Sequence, residues 1–265
     1  MMPRRLMERP GLGWLAVSTL VLFGAGLLFF ADLSAFTPSR MANAQSKIPK
    51  EEVEQIIRAY LLEHPEVIAE AMQRLEERER VAQASAAKSV LKTRADELLR
   101  DADSPVAGNP QGDVTLVEFF DYNCPYCRQV APHMARAEAN DPKLRIVYKE
   151  FPILGTNSSF AARAALAAHR QGKYVHFHRV LMEAKGTVTE TGVLEAAGRV
   201  GVDLVRLKAD MADRAIQAAI DRNLALARSL HINGTPGFVI GEQIVPGAVD
   251  LATLERLIRE TREKK

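Results

Sequence analysis

Cys124 and Cys127 are the two cysteines of this 265-residue chain, with two residues between them. They sit in the stretch FFDYNCPYCRQVAP, where an apolar run passes into a segment of helical character. A cysteine at a helix start lies beside backbone N–H groups that no carbonyl satisfies, at the positive end of the helix dipole. That setting favours the thiolate, which is the nucleophilic form of the sulfur. The second cysteine falls about one helical turn further on, close enough to close a small ring. Cys124 is therefore expected to attack a substrate disulfide or be attacked by a substrate thiol, and Cys127 to resolve the mixed disulfide. Pro125 suits the first helical turn, where its missing N–H costs no hydrogen bond and its ring stiffens the corner.

The pair alone leaves other chemistries open. Half of a zinc site would need a second pair, and His133, His169, His176 and His178 offer no matching spacing. An inert structural disulfide and a soft metal held by two thiolates both remain compatible with the spacing. A strand before the pair and a helix after it favour a redox dithiol, with no resident metal or cofactor. Glu118, six residues before Cys124, interrupts an otherwise apolar strand. Such a carboxyl either faces solvent or is buried with a raised pKa, and if buried it can accept a proton during thiol chemistry. Gly234-Thr235-Pro236-Gly237, just before a late strand, reads in isolation as a turn. His176 and His178 flank Phe177 and read as surface and packing residues; Lys149-Glu150 ends a strand and takes no assigned role.

These groups need elements to hold them. Residues 115–120 and 144–150 read as strands, with a helix over 125–140 between them. Strand, helix, strand implies a parallel pair joined by a crossover helix. Residues 157–230 read as several alanine-rich helices punctuated at Gly172, Gly186 and Gly201. Strand character returns at 237–240 and 244–245, and a closing helix over 250–263 carries Leu251, Leu254, Leu257 and Ile258 on one face.

Upstream, residues 101–113 (DADSPVAGNPQGD) read as a boundary loop. Residues 45–103 read as a helical extension broken near His64-Pro65. From Pro65 a helix is expected to run to about Arg100, a length on the order of 50 Å, too long for a small core. Its apolar stripes suit either a solvated linker helix or a homo-oligomerisation region, and self-association gives those stripes a place to be buried.

Residues 11–31 carry no charge and follow Arg4, Arg5 and Arg9. Residues 1–44 thus read as an export signal or a membrane anchor, with Trp14 as an interfacial residue. Ala42-Asn43-Ala44 offers a cleavage site, but the apolar run also reaches the length of about 20 residues that spans a bilayer. Either reading places residues 45–265 outside the cytoplasm, in the periplasm as a released or a tethered protein, where disulfides persist. Those residues carry 31 charges of each sign, and the whole chain has a net charge of +2. That balance excludes a nucleic-acid-coating protein. A hydrophobic fraction of 47% excludes wholesale disorder.

Taken together, the strand V-E-F-F, Cys124-Pro125-Tyr126-Cys127, the helical insertion and Thr235-Pro236 resemble the thioredoxin superfamily, and within it the DsbA-like thiol–disulfide oxidoreductases. The resemblance covers about 104–265. It implies an α/β thioredoxin fold with an inserted helical domain, preceded here by the N-terminal helical extension. It implies a cis bond at Pro236, with Thr235 and Pro236 facing Cys124, and substrate contacts from Pro125, Tyr126, Thr235 and Pro236. It also matches Glu118 to the family's buried acid. The extension at 45–103 is more similar to the suppressor-of-copper-sensitivity protein C subgroup. The partners so implied are exported proteins with cysteines and a membrane redox protein. Pro-Tyr lacks the histidine of the most oxidising motif, which implies an intermediate potential and favours an isomerase or reductase. A DsbA-type oxidase, or a non-enzymatic holdase or copper-binding protein, are the alternatives.

Overall fold

The computed structural model describes residues 49–264. The segment read as an export signal or membrane anchor, with Trp14 and the expected cleavage site at Ala42-Asn43-Ala44, lies outside them. The described residues contain no helix long and apolar enough to cross a membrane.

The described residues open with α1 (Lys50–Glu63) and α2 (Glu66–Thr93), separated at His64-Pro65. The helix expected to reach Arg100 breaks earlier. Arg94 leaves helical geometry, and a short α3 (Ala95–Leu99) follows. The break lets the chain turn onto the sheet, where Leu91 and Leu98 are both buried. The chain divides into two compact units within α1, between Ala59 and Tyr60.

The second unit is built on five strands, β1 (Val106–Gly108), β2 (Val114–Phe120), β3 (Leu144–Glu150), β4 (Gly237–Ile240) and β5 (Gln243–Pro246). Their order in the sheet is β1-β3-β2-β4-β5. Among the described residues only β2 and β3 run parallel, joined by the crossover helix α4 (Pro125–Asn140). The sequence reading of 101–113 as loop missed β1. Its three residues lie between Pro105 and Asn109 and are too few to show a period; antiparallel pairing with β3 makes them a strand.

Between β3 and β4 lie α5 (Thr156–His169), α6 (Tyr174–Met182), α7 (Glu190–Arg199), α8 (Leu204–Met211) and α9 (Arg214–Ser229). Aspartates cap two of them, Asp203 for α8 and Asp213 for α9, by accepting from first-turn N–H groups. The closing α10 (Leu251–Glu263) is capped by Asp250 and buries Leu254, Leu257 and Ile258.

Strand alternation divides the core. Leu116 and Phe120 of β2 join the cluster with α4, α5, α6 and α10, whereas Val117 and Phe119 join Leu91, Leu98, Leu226 and Leu230 on the other face. Glu118 shares the parity of Leu116 and Phe120, so it lies on the face that α4 covers. The architecture is the expected α/β thioredoxin fold with a helical insertion and an N-terminal helical segment.

Candidate active site

Cys124 occupies the N-cap of α4 with extended backbone (φ −79, ψ 117), and Pro125 takes the first helical turn. No side chain caps this end of the helix. The Cys124 side chain thus sits at the residue that opens the helix, beside its first-turn donors. It is 4% exposed, and Cys127, one turn on, is fully buried. The Cys124 Sγ–H donates to the Thr235 carbonyl oxygen at 3.2 Å. The Thr235–Pro236 bond is cis. Gly237 must follow it, because a Cβ there would meet Ile232 Cγ2 at 2.7 Å. Pro125 and Tyr126 stand at the surface beside the sulfur. The structure therefore brings Cys124, Cys127, Pro125, Tyr126, Thr235 and Pro236 to one place.

Glu118 lies behind them. It is buried between Tyr148 of β3 and Phe238 of β4, its partners in register. Its Oε1 has no hydrogen-bond partner among the described residues. Burial alone pushes its carboxyl up to about 8. Burial also pushes the Cys127 thiol well above its ordinary value, and the charge of Glu118 adds to that rise. The two groups are electrostatically coupled, so ionising one disfavours ionising the other. A cavity of about 410 Å³ between α4 and α6 reaches Glu118, lined also by Tyr148, His178 and Arg128.

Several residues that hold the site were not singled out from the sequence. Asp121 is buried and accepts the N–H groups of Ile153 and Leu154 at 2.9 and 3.0 Å, and that of Asn123 at 2.8 Å. Asn123 accepts the Val188 N–H at 2.7 Å and so fastens the Cys124 loop to the insertion. Arg128 donates to the Tyr122 carbonyl at 2.8 Å and also to the Gly186 carbonyl. Aspartate and asparagine just before a helix start are the usual residues for such turn bonds, and DYN before Cys124 carried that signal. Lys149 is not at the site. Its buried ammonium donates to the Glu97 carbonyl and Ser104 Oγ at 2.5 and 2.7 Å and ties α3 to the sheet. Glu150 accepts from Tyr174 and Tyr122 at 2.7 and 3.1 Å inside the core, and Tyr122 also meets His178 Nδ1 at 3.2 Å. Burial pushes the His178 imidazole down to about 3, so it packs there as a neutral ring, while His176 is exposed.

The model of the DsbA-like thioredoxin domain matches residues 115–259, which span both cysteines, the insertion and Pro236. The chain belongs to the DsbA-like thioredoxin family. The domain is thus that of a thiol–disulfide oxidoreductase. A thioredoxin-like oxidoreductase from Silicibacter pomeroyi is 49% identical, with 63% of this chain and 97% of that one covered and a TM-score of 0.62. A linker-deletion variant of ScsC from Proteus mirabilis is 28% identical and covers more, 86% of this chain and 100% of its own, with a TM-score of 0.64. The N-terminal domain of the copper resistance protein ScsC matches residues 50–82, so the ScsC likeness extends to α1 and α2 of this DsbA-like protein. The Na(+)/H(+) antiporter NhaA 3 of Salinispora tropica is 28% identical over 155 residues, 58% of this chain. The chain spans about a quarter of the length of the curated antiporter relatives it matches.

Proposed function

We propose that this DsbA-like protein is an exported thiol–disulfide oxidoreductase that rests as a dithiol and reduces or isomerises disulfides in exported proteins. The observation that carries the reading is the Cys124 sulfur, placed at the start of α4 against the Thr235 carbonyl, with Cys127 and Glu118 buried behind it.

The exchange runs in two displacements. The Cys124 thiolate attacks one sulfur of a substrate disulfide, and the other sulfur leaves as a thiolate that takes up a proton. Cys127 then attacks the Cys124 sulfur and expels the substrate as a second thiol, its proton passing to the departing sulfur; where Glu118 is ionised, its carboxylate relays that proton. The substrate gains the two electrons that the dithiol loses, and the site ends as the Cys124–Cys127 disulfide. In isomerisation a second substrate thiol attacks the mixed disulfide first, so Cys124 leaves as a thiolate with no net redox change. A reductant is needed only after full reduction of a substrate, and a membrane redox protein fits that part.

The exposed apolar residues of the N-terminal helices support self-association as the second half of this reading. Ile56 and Ile57 on α1, and Ile68, Met72 and Leu75 on α2, all stand in solvent in the single chain. Apolar stripes of this length are ordinarily covered. A homo-oligomer through these helices would present several sites to one misbridged substrate.

The test is reactivation of a scrambled, fully oxidised test protein by the chain and by a variant with Ile68 and Met72 made aspartate. Reactivation that falls in the variant supports an oligomeric isomerase. Weak reactivation by both, with fast oxidation of a reduced test protein, makes the chain a DsbA-type oxidase.

A further inference from the structure

The site has a wall that lies outside the cysteine motif and the cis-proline turn. A groove of about 500 Å³ runs between α2 and the segment leading into β4. Asn233, Thr235 and Pro236 line one side; Arg80, Gln83, Ala84 and Ala87 line the other. Their spacing puts these four α2 residues on one helix face. The floor is apolar, with Leu230, Ile232 and Ile244.

The helix is fixed in this position by the segment that carries Thr235. Leu91 packs in one cluster with Leu230, Ile232 and Val239. Arg94 donates to Ser229 Oγ at 2.8 Å. The groove adjoins the reacting sulfur, because Thr235, one of its lining residues, accepts the Cys124 S–H. Among the described residues the N–H groups of Asn233, Gly234 and Thr235 make no backbone hydrogen bond. Free donors along one edge and an apolar floor suit an extended polypeptide, which offers carbonyls and side chains together. Arg80 is already paired with Glu77 through two hydrogen bonds, so the α2 wall has little free charge. A neutral or apolar segment is the chemistry that fits.

We propose that α2 forms one wall of the substrate groove, with Arg80, Gln83 and Ala84 contacting the extended chain that flanks the reacting substrate cysteine. The inference rests on the exchange activity proposed above. It assigns the N-terminal helix a part in selecting substrates that is separate from assembly. A small disulfide reaches Cys124 without touching this wall, whereas a polypeptide lies along it.

The test compares two disulfides on the full-length chain, glutathione disulfide and a short apolar peptide joined to glutathione through its cysteine. Ala84→Trp fills the groove from an exposed position. Ala82→Trp places the same ring on the opposite, exposed face of α2, outside the groove. The expected result is a fall of about tenfold in the peptide exchange rate for Ala84→Trp, no change for Ala82→Trp, and unchanged rates with glutathione disulfide for both. Three results overturn the proposal: an unchanged peptide rate in Ala84→Trp, an equal loss in Ala82→Trp, or a parallel loss with glutathione disulfide. A wild-type chain inert toward both disulfides would instead overturn the exchange activity on which the proposal stands.

Discussion

The Cys124 thiol donates to the carbonyl oxygen of Thr235, a residue 111 positions later in the chain. The contact places the sulfur between the start of α4 and the edge where a substrate backbone can lie. It also separates the two cysteines by access, since Cys127 has no exposure. Cys124 is then the sulfur that meets substrate. Cys127→Ser should stop the reaction at the mixed disulfide, which intact-mass measurement reads as a stable adduct. Cys124→Ser should form none. Adducts of equal yield in both variants would contradict this ordering.

Glu118 gives the fold a pH dependence. Burial keeps its carboxyl protonated to about 8, whereas in the unfolded chain it ionises near its ordinary 4.5. Between those values the folded state holds a proton that the unfolded state has released, so this group's contribution to stability is complete below about 4.5 and is lost as the pH rises toward 8. The slope for one such group is on the order of one kcal/mol per pH unit. Glu118→Gln should flatten the urea midpoint between pH 5 and 8 and leave the variant the more stable protein at pH 8. At pH 8 and above, where Glu118 is ionised, the same change removes a proton acceptor for Cys127 and should slow resolution of the mixed disulfide about tenfold or more. Parallel pH profiles in both proteins would exclude Glu118 as the titrating group.

The central βαβ unit was legible because its signals are local. A continuous apolar run, a proline at a helix start and a second apolar run mark β2, α4 and β3 to within a residue. Glu118 stood out for the same reason, as a charge where none belongs. The approach of Thr235 to Cys124 came from the family resemblance, since no local pattern encodes a contact between such distant segments. The break at Arg94 was hidden because the 66–99 stretch has no glycine or proline; burial of Leu98 against the sheet decides it. Nor could the α2 wall be read, because Arg80, Gln83 and Ala84 are ordinary residues for an exposed helix until the fold sets them beside Thr235.

The exposed stripe of α2 makes a separable prediction. Ile68 and Met72 are about half exposed in the single chain, at 47% and 58%, and lie one turn apart. Replacing both with aspartate removes no buried contact, so the thermal midpoint measured on the isolated chain should barely move. If these residues meet their counterparts in another copy, the charges would face each other and the assembly should dissociate. Sedimentation analysis of wild type and variant reads this directly. An unchanged mass would remove the stripe from the interface.

Asp121 is the residue whose loss should separate holding the site from performing its chemistry. One of its oxygens takes the N–H groups of Ile153 and Leu154, and the other takes that of Asn123, next to Cys124. The carboxylate thereby joins the loop after β3 to the turn that starts α4. Asp121→Ala leaves three donors without this partner, at a cost of about 2 kcal/mol or more. Asp121→Asn keeps one acceptor oxygen and should fall between the two. Because Cys124 itself is untouched, the loss should appear twice. The urea midpoint should drop, and alkylation of Cys124 by iodoacetamide should change as its sulfur leaves the Thr235 carbonyl. A lower midpoint with unchanged alkylation would mean that the α4 corner keeps its geometry through Asn123 and Arg128, which bind the insertion independently of Asp121.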